Sequence, residues 1–404
     1  MTTARVFRSA AAGLCTLGLA LTVWAAGPAA QAAQRSVAAR PAGPASQTAQ
    51  VQLAAKTSTY KYTLSRITST GSRLAIAATD SHGDLYFFWQ RIGTTAWHKQ
   101  LVGNGGHGQA YSKPSVAWTG SAVVIVTLDH SGDLVAYTQH GGSWKRKVVA
   151  RASGHKFQAP SVAAVPGGPV LIAAARAGQM VSFELAPGHS NWSRQTAGYG
   201  TFGTPSIITC YDSLISQHLA LITATSGGTL DFWWERLDNV GWHQETVATP
   251  GPSGSYAGPS LTATASELMI AAATTGGTVD TWSQSIGGSG WSEQTVATAG
   301  SSRYSRPAIT WTGPVLGGPS SYFVITAASQ TGKLAFWWQL VGSTSWNPET
   351  VASAGKHASY ASPAISVTSK SVVITAINTK PGDVYFWYQK FTTNPWHRQL
   401  VATG

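Results

Sequence analysis

Residues 114–150 read PSVAWTGSAVVIVTLDHSGDLVAYTQHGGSWKRKVVA, and this stretch decides the fold. Four short runs rich in β-branched and aromatic residues, 115–119, 123–128, 134–139 and 144–149, are separated by clusters of Gly, Ser, Asp and His. Runs of this length bounded by turn residues read as strands. The second is apolar without alternation, as in a strand buried on both faces, and no stretch sustains a helical period.

The unit recurs. A tryptophan returns at Trp97, Trp144, Trp192, Trp242, Trp291, Trp346 and Trp396, about fifty residues apart. Before each stands a glycine with an aliphatic residue two positions on: Gly83 and Leu85, Gly132 and Leu134, Gly178 and Met180, Gly228 and Leu230, Gly277 and Val279, Gly332 and Leu334, Gly382 and Val384. A Tyr or Phe three residues before a proline opens six repeats, as Tyr111 does before Pro114, while the first keeps Tyr62 but has Ser65 for the proline. Periods of this length mark solenoids, propellers or arrays, and four strands per unit make a propeller blade. The sequence therefore predicts an all-β, seven-bladed β-propeller of four-stranded antiparallel blades over residues 51–404. Residues 396–401 give the last repeat its own fourth strand, so blade seven reads as complete. Residues 51–55 resemble the tail of a fourth strand and leave a strand exchange between the termini as the alternative closure.

The N-terminal residues belong to another category. Arg5 and Arg8 precede an apolar stretch over 10–26, and Ala30-Gln31-Ala32 supplies a small-residue cleavage site, so residues 1–32 read as a secretory signal peptide. Residues 33–50 read as a disordered lead, and the product is expected to be secreted and extracellular. No other segment is long and apolar enough to span a membrane. Cleavage would leave Cys210 as the sole cysteine, read as a buried structural thiol. The formal charge is +12, and the densest basic run holds Lys145, Arg146, Lys147, Arg151, His155 and Lys156. It falls on the outermost strand of a blade, where lysines guard an open edge, so nucleic acid is disfavoured as a partner.

Charged residues make up 10% of the chain, against roughly 25% in ordinary soluble proteins, so the surface must be neutral polar and aromatic. The third strands carry adjacent aromatics: Phe88-Trp89, Trp233-Trp234, Trp337-Trp338 and Trp387-Tyr388. Adjacent residues on a strand face opposite ways, so one ring packs between blades while the other is free to face a groove. Thr138, Glu184 and Ser283 hold that second place in repeats two, three and five. A Gln or Glu follows the pair, and another lies three residues after the repeat tryptophan at Gln100, Gln195, Glu245, Gln294, Glu349 and Gln399. Aromatic faces beside short polar groups suit sugars. The same side chains could equally wedge the blades together and satisfy buried polar groups between them.

These markers, with a Trp-x-x-Glu/Gln-x-Val-Ala ending, resemble the bacterial seven-bladed β-propeller lectins typified by the Photorhabdus fucose-binding lectins. The resemblance covers about residues 51–404 and implies multivalent binding of terminal sugars, such as fucose-type sugars, in aromatic pockets between blades. By position, the implied pockets fall on Trp89, Trp97 and Tyr111; on Trp234, Trp242 and Tyr256; on Trp338, Trp346 and Tyr360; and on Tyr388, Trp396 and Tyr62. Partners would be glycans or polysaccharide, with no cofactor. Repeats two and three depart from the pattern.

A glycosidase is the competing class. It needs paired carboxylates, whereas the fifteen acidic residues stand largely at repeat-equivalent positions such as Asp84, Asp133 and Asp383. Such positions lie around a ring and do not converge, so no enzyme activity is expected. The histidines are likewise scattered, and no metal site is expected. A protein-binding scaffold is the third class, with insertions at 210–218 and 314–321 as the places to look.

Overall fold

The structure is a computed structural model that describes residues 61–404 apart from 107–109, 213–216, 238–240, 252–253, 301, 316–319 and 392–394. The leader, the lead and residues 51–55 lie outside the described residues. Seven four-stranded antiparallel sheets follow one another, each made of four strands consecutive in sequence. Blade one comprises Tyr62–Ser69, Arg73–Asp80, Leu85–Arg91 and His98–Gly103; blade seven comprises Tyr360–Val367, Ser371–Asn378, Asp383–Lys390 and His397–Ala402. In repeat two the strands are Ser112–Trp118, Val123–Leu128, Leu134–His140 and Ser143–Ala150, close to the runs read from sequence. Each first strand touches the first strand of the next blade, and the last touches the first, so the ring is closed.

Closure uses no strand exchange among the described residues. Both terminal blades are built from their own strands, and the Tyr62 amide donates to the Gly382 carbonyl at 3.0 Å. The same clip joins other neighbours: Tyr111 to Gly83 at 2.7 Å, Tyr256 to Gly228 at 3.0 Å and Tyr360 to Gly332 at 2.9 Å. This explains the repeated glycine. All seven have φ between 76° and 92°, a conformation that non-glycine residues adopt only at a cost. At Gly332 a Cβ would also lie 2.6 Å from the Cα of Ser359 on the next blade, so even a strained side chain has no room.

The second strands are buried along almost their whole length, as their unbroken apolar sequences require. The first aromatic of each third-strand pair is core: Trp233 is fully buried, and Trp337 and Trp387 are nearly so. Each meets its blade's opening aromatic edge to face, as Trp233 does with Phe202, Trp337 with Tyr304 and Trp387 with Tyr360. The 210–218 insertion lengthens a hairpin, because Ser206–Asp212 and Gln217–Ser226 stay paired out to Asp212 and Gln217. The loop tip at 213–216 and residues 316–319 of the other insertion are outside the described residues.

Gly332→Ala and Gly71→Ala separate conformational strain from blade contact. Both glycines have φ near 80°, but a Cβ at Gly71 meets nothing within 4 Å. Chemical denaturation should show about 1–2 kcal/mol lost at Gly71, the strain alone, and a larger loss at Gly332. Equal losses would mean that the inter-blade approach at Gly332 is not tight.

Candidate functional site

The repeat tryptophan stands at the start of the fourth strand, within it at Trp144 and just before it in the other blades, and turns back toward the preceding blade. Trp144 meets Phe87 of blade one edge to face at 5.0 Å, and Trp97, Trp291 and Trp396 meet Phe386, Phe232 and Phe336 in the same way. The indole nitrogen then donates to the Gln or Glu three residues after the previous repeat tryptophan. Trp144 reaches Gln100 Oε1 at 3.0 Å, Trp346 reaches Gln294 Oε1 at 3.2 Å, Trp396 reaches Glu349 Oε2 at 3.1 Å and Trp97 reaches Gln399 Oε1 at 3.1 Å. The third-strand Gln joins the same acceptor: Gln339 on Gln294, Gln389 on Glu349 and Gln90 on Gln399, at 3.0, 3.1 and 2.9 Å. The polar side chains that suggested sugar hydroxyl partners thus fasten one blade to the next.

This lock regroups the expected pockets. Trp89 shares its boundary with Trp144 and Tyr111 instead of Trp97, and Trp234 shares its own with Trp291 and Tyr256 instead of Trp242. Trp338 lies with Trp396 and Tyr360 instead of Trp346, and Tyr388 lies with Trp97 and Tyr62 instead of Trp396. Trp242 and Trp346 belong to the boundaries one blade earlier. The four tyrosines Tyr62, Tyr111, Tyr256 and Tyr360 are only 4–7% exposed and serve as core wedges.

The second aromatics are half-buried, but three are capped. Trp89 stacks on His98 at 4.9 Å, Trp234 on His243 at 4.1 Å and Tyr388 on His397 at 4.9 Å. The histidines that follow three repeat tryptophans are therefore ring partners on the neighbouring strand. Trp338 has Asn347 opposite it; its indole donates to Glu349 Oε1 at 3.1 Å and its ring meets Tyr322 edge to face.

Blade five lacks the aromatic, and there the boundary opens. Ser283 faces Ser292 in the register that pairs Trp89 with His98. Beside them a cavity of about 340 Å³ lies between blades five and six. Met269 and Phe323 give it an apolar side, while Glu267, Thr281, Glu293 and Gln339 give it polar groups. Burial raises the Glu267 carboxyl above its ordinary range, opposed by a hydrogen bond from Ser283. Of these residues the sequence singles out Gln339, which follows an aromatic pair, and Ser283, which stands where the second aromatic is missing; the others lie outside those marks. The signal was the missing aromatic at Ser283.

The lock fails for Trp192 and Trp242 of blades three and four, whereas the sequence marked repeats two and three as departing. Lys147 takes the place of the acceptor Gln, and the indole nitrogen of Trp192 is buried with no partner among the described residues. Trp242 instead donates to Ser182 Oγ at 3.1 Å, and Gln195 is bonded to Glu235. Burial raises Glu235, a shift opposed by that bond and by the Gly241 amide.

The repeat-equivalent acids have structural work. Asp84, Asp133 and Asp383 accept the backbone amides of Gly105, Ala152 and Gly404 at 2.6, 2.6 and 2.9 Å, tying each hairpin to the segment leaving its blade. The basic run of blade two is partly neutralised, with Arg146 on Asp129 at 3.1 Å and Arg151 on Asp133 at 3.8 Å. Among the described residues no three His, Cys, Asp or Glu side chains gather closely enough to hold a metal ion. Cys210 is half-buried on the first strand of blade four, and burial, with the charge of Asp212 second, pushes its thiol up to about 12.

No family model matches this chain, and no curated protein matches it in sequence. Solved structures do. A lectin from Burkholderia pseudomallei superposes with a TM-score of 0.65 at 12% identity, covering 83% of this chain and 98% of its own. The Aleuria aurantia lectin in complex with α-methyl-L-fucoside superposes with a TM-score of 0.51 at 11% identity, covering 86% and 96%. Another structure of that lectin, described as a six-bladed β-propeller with a novel fucose recognition mode, gives 0.51 at 12% over the same shares. This chain shares their propeller fold. It has seven four-stranded blades.

Two outcomes follow from the lock and the thiol. Lys147→Gln should give Trp192 an acceptor and raise stability by about 1 kcal/mol in denaturant unfolding, whereas Gln294→Leu should remove about 2 kcal/mol by stripping Trp346 and Gln339 of theirs. Unchanged stability in both would show that the indole bonds contribute nothing. At pH 8 the native Cys210 thiol should react with a disulfide reagent at least about tenfold more slowly than in the urea-unfolded chain, because a free thiol titrates near 8.5. Equal rates would contradict its burial.

Proposed function

We propose that this chain is an exported, multivalent carbohydrate-binding protein of lectin type that takes terminal, fucose-type sugars at its blade boundaries. The observation that carries the reading is the cavity between blades five and six. Its volume of about 340 Å³ lies within the range of small-ligand sites, and its lining pairs apolar Met269 and Phe323 with carboxylate, hydroxyl and amide groups. A sugar needs both kinds of surface, C–H faces against the first and hydroxyls against the second. The half-buried ring of Trp338, which no imidazole caps, offers a second platform between blades six and seven. Structures sharing this fold were solved with α-methyl-L-fucoside, which supports the sugar class. Repetition of the boundary around one ring supports multivalence, and linked weak sites gain about 10²–10⁴ in avidity when geometry permits. The charged leader, its apolar stretch and Ala30-Gln31-Ala32 support export with cleavage near Ala33. Among the described residues no helix is long and apolar enough to cross a membrane.

The test combines a glycan array with calorimetric titration of α-methyl-L-fucoside. Ser283→Trp with Ser292→His installs in blade five the ring pair that blades one and four already hold, so the variant should fold and lose the cavity. Sugar binding by the wild type, with at least one site lost in this variant and a further one in Trp338→Ala, is the expected result. A blank array and no heat with the fucoside would overturn the reading and turn the search to protein partners.

A further inference from the structure

The first strands surround a central channel with a cavity of about 290 Å³, lined by the prolines of the repeat marker and their neighbours. The residue before the marker proline faces this channel. It is small and uncharged at Ala159, Thr204, Gly258 and Ser362, but it is Lys113 in blade two and Arg306 in blade six. The residue after the proline is a serine in several blades, and there it joins inner strands. Ser115, Ser161 and Ser260 accept the backbone amides of Val162, Ile207 and Ile309 in the next blade, at 3.1, 3.2 and 3.1 Å. Blade one has Arg66 at that position, and Ser65 where the proline would be. Three cations therefore enter the channel on blades six, one and two, an arc that spans only blade seven besides.

Among the described residues no Asp or Glu lines the channel. Among the described residues none of the three cations is paired with a carboxylate, and the Arg66 guanidinium has one acceptor, the Ser65 carbonyl at 3.0 Å. A guanidinium carries five N–H donors, so most of those on Arg66 are left to the channel. Burial, with the Arg306 charge second, pulls Arg66 down to about 10. Uncompensated like charges in a confined space are destabilising, and the repeat itself shows that the fold does not need them, because four other blades place neutral residues at the position before the proline. The fork geometry of arginine matches the oxygens of phosphate, sulfate and carboxylate.

We propose that the central channel is a binding site for one small oxyanion, held by Arg66 and Arg306 with Lys113 adding charge, and separate from the blade boundaries. The site would be filled by phosphate, sulfate or a free carboxylate.

The experiment is calorimetric titration and thermal unfolding of the full chain in phosphate, sulfate or acetate against chloride at equal ionic strength. At least one oxyanion should bind saturably with one site per chain and raise Tm above the chloride value. Arg66→Gln or Arg306→Gln should weaken that binding about tenfold or more, while Arg146→Gln, on the outer strand of blade two, should leave it unchanged. Identical behaviour in all four salts would overturn the proposal, and so would undiminished binding in the Arg66→Gln, Arg306→Gln double variant. Since α-methyl-L-fucoside carries no charge, the sugar reading and the anion site fail independently.

Discussion

A propeller blade exposes two faces of a four-stranded sheet, and neither can be left in water when its second strand reads VVIVTL or LMIAAA. Each blade must therefore press against both neighbours, and whatever polar group is trapped at the join must find a partner there. The tryptophan lock meets both demands with one side chain. Its ring covers a phenylalanine of the preceding blade, and its nitrogen is satisfied by the Gln or Glu beside that phenylalanine. The glycine clip joins the same blades, and at every repeat except Gly178 its spacing admits no side chain.

The lock sets what remains for function. At most boundaries it occupies the repeat tryptophan and the repeated Gln or Glu, so the proposed recognition falls to positions where the repeat varies. Those are the second place of the third-strand pair and its partner on the fourth strand: ring on imidazole at Trp89, Trp234 and Tyr388, tryptophan beside asparagine at Trp338, serine on serine at Ser283. The volume that an aromatic fills elsewhere is empty in blade five. The central channel follows the same logic, since its cations also stand where the repeat departs from itself.

The fold was legible because burial and turn geometry leave periodic marks. A second strand shut in on both faces has to be apolar throughout, and a clip at positive φ has to be glycine, seven times. The strand boundaries of repeat two were within a few residues for the same reason. The pockets were less legible, since alternation along a strand tells which residues share a face but does not tell which neighbour that face meets. Trp97 and Trp89 lie in one blade and serve opposite boundaries, so the grouping by sequence order put each repeat tryptophan one boundary late. Tyr62, Tyr111, Tyr256 and Tyr360 are core because each opening aromatic packs against a ring on the third strand of its own blade. Lys147 marked the place where the lock fails, visible as a donor at an acceptor position, but only once the acceptor's role was known.

The lock can be weighed across the closing boundary, where its members stand some three hundred residues apart in sequence and no local effect confuses the result. The decisive measurement is a double-mutant cycle on Trp97 and Gln399, using Trp97→Phe and Gln399→Leu and chemical denaturation of all four proteins. A coupling energy of about 1 kcal/mol is expected for a half-buried indole bond whose loss strands its partner. Additive losses, with no coupling, would show that the blades are held by apolar contact alone and would contradict the account.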